Sequence, residues 1–159
     1  MPHLPTTKAL KDILDGLLGR DVYLREAKPI GEGDVAGGIL ARYVDDQGSP
    51  RAVAGWDLAG GAFVGAAVGL VPRGGAEAAL EDGELSPNLF ENLSEVSNVF
   101  AQAFNVPGNP HVRLEQCFHP LESAPDDARE LLFAPALRLD YEVDVDGYGK
   151  GKLSISMVG

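Results

Sequence analysis

The sequence of 159 residues carries 13 lysines and arginines against 24 aspartates and glutamates, a formal net charge of −11 at pH 7. Such a surface repels a phosphate backbone or an anionic leaflet, so we expect neither nucleic acid nor a membrane as a partner. Cys117 is the single cysteine and the first residues lack a signal-peptide pattern, so we expect one cytoplasmic domain over residues 1–159 without an internal disulfide.

The first half of the chain predicts a helix, a strand and a hairpin. Leucine and isoleucine recur every three or four residues between positions 10 and 18, which predicts a helix that Thr6 or Thr7 caps. Alternating apolar residues then predict three strands, the last two joined by a turn of Asp, Gly, Ser and Pro residues: 21–27, 38–44 and 52–56.

The next segment, residues 59–71, is rich in glycine and alanine. It could be a buried strand or a helix, and its length and alanine content favour a helix that packs closely through its glycines. It is too short to cross a bilayer. Residues 76–80 predict a further turn or two of helix before an acidic loop.

Residues 86–105 form the longest stretch with a single hydrophobic period, and they predict a central helix. Ser86 is placed to cap it, and Pro87 occupies the first turn, where its missing N–H costs nothing. The positions that fall on the apolar side are Leu89, Leu93, Val96, Phe100 and Phe104. The positions that line the opposite side, which we call the polar stripe, are Glu91, Glu95, Asn98 and Gln102.

Beyond the central helix, residues 112–118 predict a strand with Val112, Leu114 and Phe118 on its inner side. Residues 124–132 predict a short helix, and residues 137–145 and 152–158 predict a hairpin. Together these elements predict an α+β fold, with a mainly antiparallel sheet of about five or six strands and helices packed on one face.

Several other patterns have simpler explanations. Gly31 to Gly37 resembles a dinucleotide-binding loop but precedes a strand rather than a helix, and Asp144 and Asp146 lie in the predicted hairpin rather than a calcium loop. Glu115, Cys117 and His119 alternate along one strand, but three residues of one strand make a weak metal site. An apolar-flanked Cys117 near histidines is more often packed than nucleophilic.

The order of elements together with Glu95-Val-Ser-Asn98 on the central helix resembles the CheC/CheX/FliY family of chemotaxis phosphatases. The similarity covers roughly Val22 to Val158, and the single E-x-x-N motif is closer to CheX than to CheC, which has two. Pro120 stands one residue from the usual place of a downstream family proline.

The resemblance implies that Glu95 pairs with the active-site lysine of a phosphorylated CheY-type receiver domain and that Asn98 orients the attacking water. No cofactor or metal is implied on this chain, because the Mg²⁺ ion would belong to the receiver. Two positions differ from the family pattern and would border the partner. Gln102 replaces a usual glycine, and Glu91 replaces a usual Asp or Ser.

Two functions follow from the resemblance, and the alternative to both is that the polar stripe is only a solvated helix surface. The first is an enzyme, a phosphatase that promotes hydrolysis of the receiver's aspartyl phosphate through Glu95 and Asn98. The second is a module of the same fold that binds a receiver or a flagellar-switch component without catalysis. The resemblance also implies a homodimer, through an exposed edge of the sheet.

Overall fold

A computed structural model describes residues 2–135 and 137–159. The described residues form five α-helices and six strands, in this order: α1 (Thr7–Leu18), β1 (Val22–Glu26), β2 (Ile39–Asp45), β3 (Pro50–Trp56), α2 (Leu58–Val68), α3 (Arg73–Asp82), α4 (Pro87–Phe104), β4 (Val112–Phe118), α5 (Asp126–Phe133), β5 (Arg138–Val145) and β6 (Gly149–Met157). Thr6 caps α1, as predicted, because its Oγ1 accepts the N–H of Ala9 at 3.1 Å.

The six strands form one antiparallel sheet in the order β1-β5-β6-β3-β2-β4. The predicted hairpins β2–β3 and β5–β6 are present, and each pairs along most of its length. Strands β1 and β4 are the two edges. The predicted α+β class with a mainly antiparallel sheet is therefore confirmed.

Helices α1 to α4 cover one face of the sheet and enclose the main core. Helix α5 is the exception, because alternate residues of β2 and β3 point the other way and leave apolar side chains to be covered there. This second cluster joins the strands to α5 and the turn before it, and its buried members are Leu40, Val53, Leu121, Ala124, Ala128 and Leu132.

Helix α2 is buried on nearly every side, and its glycines allow the close packing that the sequence predicted. Asp57 caps it, with Oδ1 accepting the N–H groups of Gly60 at 2.7 Å and Lys152 at 2.9 Å. Burial raises the pKa of this carboxyl, against the effect of those two N–H groups. A Cβ at Gly151 would lie 2.1 Å from the backbone nitrogen of Gly60. Within the described ranges, no helix is long and apolar enough to cross a bilayer.

Strand β4 contains a bulge that the alternation of the sequence did not reveal. Glu115 is the extra residue, since Leu114 and Gln116 pair with consecutive residues of β2. The bulge shifts the phase of the strand, so Leu114 contacts the main core while Phe118 contacts the cluster under α5. The prediction that these two side chains share the inner face is therefore wrong.

Candidate functional site

Helix α4 carries the polar stripe and begins as its sequence predicts. The Oγ of Ser86 accepts the N–H of Leu89 at 3.3 Å, and Pro87 takes the first helical position. All five predicted apolar side chains are at most 2% exposed. Removal of this apolar face from water, at about 25 cal/mol per Å², favours packing of the helix on the sheet.

The second half of α4 is fixed by an aromatic pair and a buried hydrogen bond. The ring of Tyr43, on β2, lies 4.9 Å from that of Phe104. The Tyr43 hydroxyl donates to the carbonyl oxygen of Ser97 at 2.6 Å. Because Ser97 precedes Asn98, this bond fixes the turn of α4 that presents the two motif residues. The ring centroid of Phe100 is 5.8 Å from that of Trp56, on β3.

The approach to α4 is held by His119, which follows β4. Its Nδ1–H donates to the carbonyl oxygen of Gly38, and its Nε2 accepts the N–H of Leu85, both at 3.0 Å. The imidazole ring stacks on Phe90 with a centroid separation of 5.6 Å. Both ring nitrogens of His119 are thereby engaged in holding the loop before α4.

The far end of α4 is held by two asparagines. Asn105 pairs with the backbone of Val112, donating to its carbonyl oxygen at 2.9 Å and accepting its N–H at 2.8 Å. Asn109 donates to the carbonyl oxygen of Phe104 at 2.9 Å, which also accepts the N–H of Val106 at 3.0 Å beyond the helix end. The helix is therefore anchored at both ends and at its centre.

All four residues of the polar stripe are exposed. Among the described residues, the side chains in and next to α4 that form hydrogen bonds are those of Ser86, Asn92, Ser94 and Asn105. None of these belongs to the stripe. Glu95 and Asn98, three residues apart on one side of the helix, therefore project together from a rigid support with their polar groups bound to no other residue described.

The segment of sequence that contains the stripe carries no basic side chain. Between Arg73 and Arg113 the sequence contains no lysine or arginine, and its acidic residues are Glu77, Glu81, Asp82, Glu84, Glu91 and Glu95. This surface favours a cationic group on a partner. The stripe lies on the outer surface of a helix and can therefore act chemically by entering a pocket of another molecule. In such a pocket a carboxylate pairs with an ammonium group, and a carboxamide both donates to and accepts from a water.

Glu115 and Cys117, two of the titratable residues considered for a metal site, lie on opposite faces of the sheet. Glu115 accepts from Arg42 at 3.3 Å on the face that α5 covers, whereas Cys117 packs into the main core on the opposite face. Burial raises the pKa of the Cys117 thiol, against the nearby hydroxyls of Ser97 and Ser94, which lower it. A raised thiol pKa disfavours the thiolate that a nucleophile needs.

A separate depression of about 180 Å³ opens beside Phe104 and Met157, away from the stripe. Its charged side chain, Arg51, already donates through Nε to Asp45 at 2.8 Å. Arg51 and the N–H groups of the turn hold the pKa of the Asp45 carboxyl below its ordinary value. The charged group of this depression is thus engaged in holding the turn between β2 and β3.

The amino-acid sequence reveals the stripe but not the residues that support it. Tyr43 and His119 act across 54 and 34 positions of sequence respectively, and no local pattern reveals such contacts. Asn105 gave a weaker local signal, because asparagine is sometimes found where a helix ends.

Comparison with known proteins supports the fold. No family model and no curated protein matches the sequence. Among solved structures, a chain of the Borrelia burgdorferi CheX-CheY-BeF₃-Mg²⁺ complex is 11% identical, with a TM-score of 0.55 over 96% of this chain and 94% of that one. Thermotoga maritima FliY is 16% identical, with a TM-score of 0.53 over 94% and 82%.

A chain of the Helicobacter pylori FliM-SpeE complex is 9% identical, with a TM-score of 0.61 over 94% of this chain and 80% of that one. These neighbours have CheC/CheX/FliY-type folds, so the recognition of that fold from the sequence is confirmed. At such low identities the similarity establishes architecture alone, and function rests on the site.

Proposed function

We propose that this protein promotes hydrolysis of the aspartyl phosphate of a CheY-type receiver domain, with Glu95 and Asn98 as the acting residues. The observation that supports this proposal best is the exposure of both side chains on the anchored helix α4. The similarity of its fold to a chain of a CheX-CheY complex adds to it.

The reaction divides between the two proteins. Glu95 pairs with the receiver's active-site lysine and seats α4 at the phosphorylation pocket. Asn98 holds a water in line with the phosphorus atom. The water oxygen bonds to phosphorus as the bond to the aspartyl oxygen breaks, and the products are inorganic phosphate and the free carboxylate. Positioning is the main requirement of such a transfer, and the receiver brings the Mg²⁺ ion.

The second candidate is a module of the same fold that docks on a receiver or a flagellar-switch component without hydrolysis. Gln102 favours it, because this exposed side chain lies one helical turn beyond Asn98, where the family usually has a glycine. Glu91 lies one turn before Glu95 and adds negative charge. In this alternative the stripe binds the partner, and the Gln102 side chain prevents Asn98 from reaching the phosphorus atom.

The two candidates differ in the lifetime of phosphorylated receivers. Each receiver domain of the source organism would be phosphorylated with a small phosphodonor, and phosphate release followed with and without this protein. If the protein accelerates phosphate release and the Asn98→Ala variant does not, the result supports the phosphatase. Binding with no change in any receiver's lifetime supports the module, and a gain of rate in Gln102→Ala would identify Gln102 as the obstruction.

Two further expectations belong to the same proposal. The protein acts in the cytoplasm, where receivers reside, and it forms a homodimer through an unpaired edge of the sheet, β1 or β4. Sedimentation equilibrium would test the dimer. A monomer at all concentrations up to the millimolar range would contradict it, and a proline placed in the pairing edge strand should dissociate a dimer if one forms.

A further inference from the structure

Leu70 combines a strained backbone with an exposed side chain. Two residues other than glycine have a left-handed backbone, Leu70 with φ of 56° and Leu137 with φ of 48°, among those described. This conformation crowds Cβ against the backbone and is unfavourable for leucine. Leu137 packs against the main core, which compensates the strain. Leu70 is 77% exposed and belongs to neither apolar cluster.

The strain at Leu70 comes from the way α2 ends. The N–H of Val71 donates to the carbonyl oxygen of Ala66 at 2.8 Å, and that of Leu70 donates to Ala67 at 3.2 Å. These bonds form a Schellman motif in which Leu70 occupies the position usual for glycine. The Tyr148 hydroxyl donates to the carbonyl oxygen of Val71 at 2.6 Å and holds the loop further. The leucine side chain is thus presented to solvent on a fixed backbone.

The residue before Leu70 contacts α4 close to the polar stripe. A Cβ on Gly69, the residue before Leu70, would lie 2.3 Å from Nδ2 of Asn92. Asn92 lies on α4, where it donates to the carbonyl oxygen of Gly65 at 3.0 Å. It precedes Glu95 by three residues, so the two occupy adjacent turns of the helix. Leu70 therefore emerges next to the turn of α4 that leads to Glu95.

We infer that Leu70 is an apolar docking contact for the receiver domain, seated against an apolar surface of the receiver next to its active-site lysine. The inference rests on the proposed function. The stripe itself offers acid and amide groups, which give orientation and charge complementarity but little apolar burial. A single exposed leucine is ordinary by itself. Here a glycine would remove the strain, and no internal contact of Leu70 requires the larger side chain.

The test is the substitution Leu70→Gly. It removes the side chain and relieves the left-handed strain, so the melting temperature should not fall, although glycine also increases the freedom of the unfolded chain. Binding would be measured by calorimetry on the source organism's receiver domains, each loaded with beryllium fluoride and Mg²⁺. The Kd should rise about tenfold, which corresponds to part of the burial of one leucine. Leu70→Asn, which tolerates the same backbone, should give the same result.

A matched control and a kinetic measurement separate docking from chemistry. Phe133→Ala removes a 39% exposed apolar side chain from α5, on the other face of the sheet, and should leave the Kd unchanged. In the phosphate-release assay, Leu70→Gly should act mainly on KM and Asn98→Ala mainly on kcat. Weakened binding by Leu70→Gly with no hydrolysis by the wild type supports the docking contact and contradicts the phosphatase. Unchanged Kd in both Leu70 variants, or binding of the wild type to no receiver, overturns the inference.

Discussion

Helices α4 and α5 pack on opposite faces of the same sheet and use their polar side chains in opposite ways. On the α5 side, Arg42 bonds to Asp127 and Glu115, and Arg138 binds the carbonyl oxygens of Leu132 and Ala134. Its polar groups are largely paired within the chain. The stripe of α4 is bound to nothing else described. The contrast separates polar groups that hold the fold from polar groups that are offered to a partner.

The largest effect is expected from Leu132→Ala in the cluster under α5. Leu132 is fully buried, and its side chain packs directly over Gly55. The lost contacts and the resulting cavity should lower the free energy of unfolding by about 3 kcal/mol. Denaturant unfolding would measure the loss. Receiver binding by the folded variant should stay at the wild-type level, and a parallel loss of binding would show that the two faces are not independent.

Asn98→Ala should affect function rather than stability. If Asn98 orients the water, kcat for phosphate release should fall about 100-fold, while thermal unfolding stays nearly unchanged because alanine is the better helix former. Asn88→Ala is the matched control, since Asn88 is an exposed asparagine in the first turn of the same helix. An equal fall in kcat in both variants would contradict a specific role for Asn98.

Glu95→Ala should weaken docking more than chemistry. Removing the carboxylate that pairs with the receiver's lysine should raise the Kd about tenfold, and the loss should shrink at high salt, where charge pairing is screened. Titration calorimetry at two ionic strengths would measure both effects. Glu81→Ala, an exposed acid on α3, serves as the control for overall charge. If it has the same effect, net charge and not the position of Glu95 governs binding.

The smallest effect is expected from Tyr43→Phe, which removes the hydroxyl bonded to Ser97. The stability loss should be about 1 kcal/mol, with a modest fall in kcat because the turn before Asn98 is held less firmly. Cys117 reports on the same region, since its half-buried thiol has a raised pKa and should react slowly with iodoacetamide at pH 8. Faster alkylation in Tyr43→Phe would show that α4 loosens, and an unchanged rate would show that apolar packing alone holds it.

The sequence predicted elements that carry their signal locally. Ser86 and Pro87 marked the start of α4, the period of its apolar residues marked its buried side, and strand β4 was placed at 112–118. The bulge at Glu115 and the position of α5 were not predictable in this way, because each depends on pairing or packing with residues far along the chain. The exposure of Glu95 and Asn98 agrees with the helical period, while their roles stay predictions.

The order of the strands bears on how the protein acquires its structure during synthesis. Strand β6 is the last of the six along the chain, yet it lies inside the sheet between β5 and β3. Until it leaves the ribosome, β1 with β5 and β2 with β3 and β4 are two separate ribbons that share no edge. We expect slow folding that completes only once β6 has emerged, and a nascent chain stalled before Gly149 should be open to proteases along both ribbons.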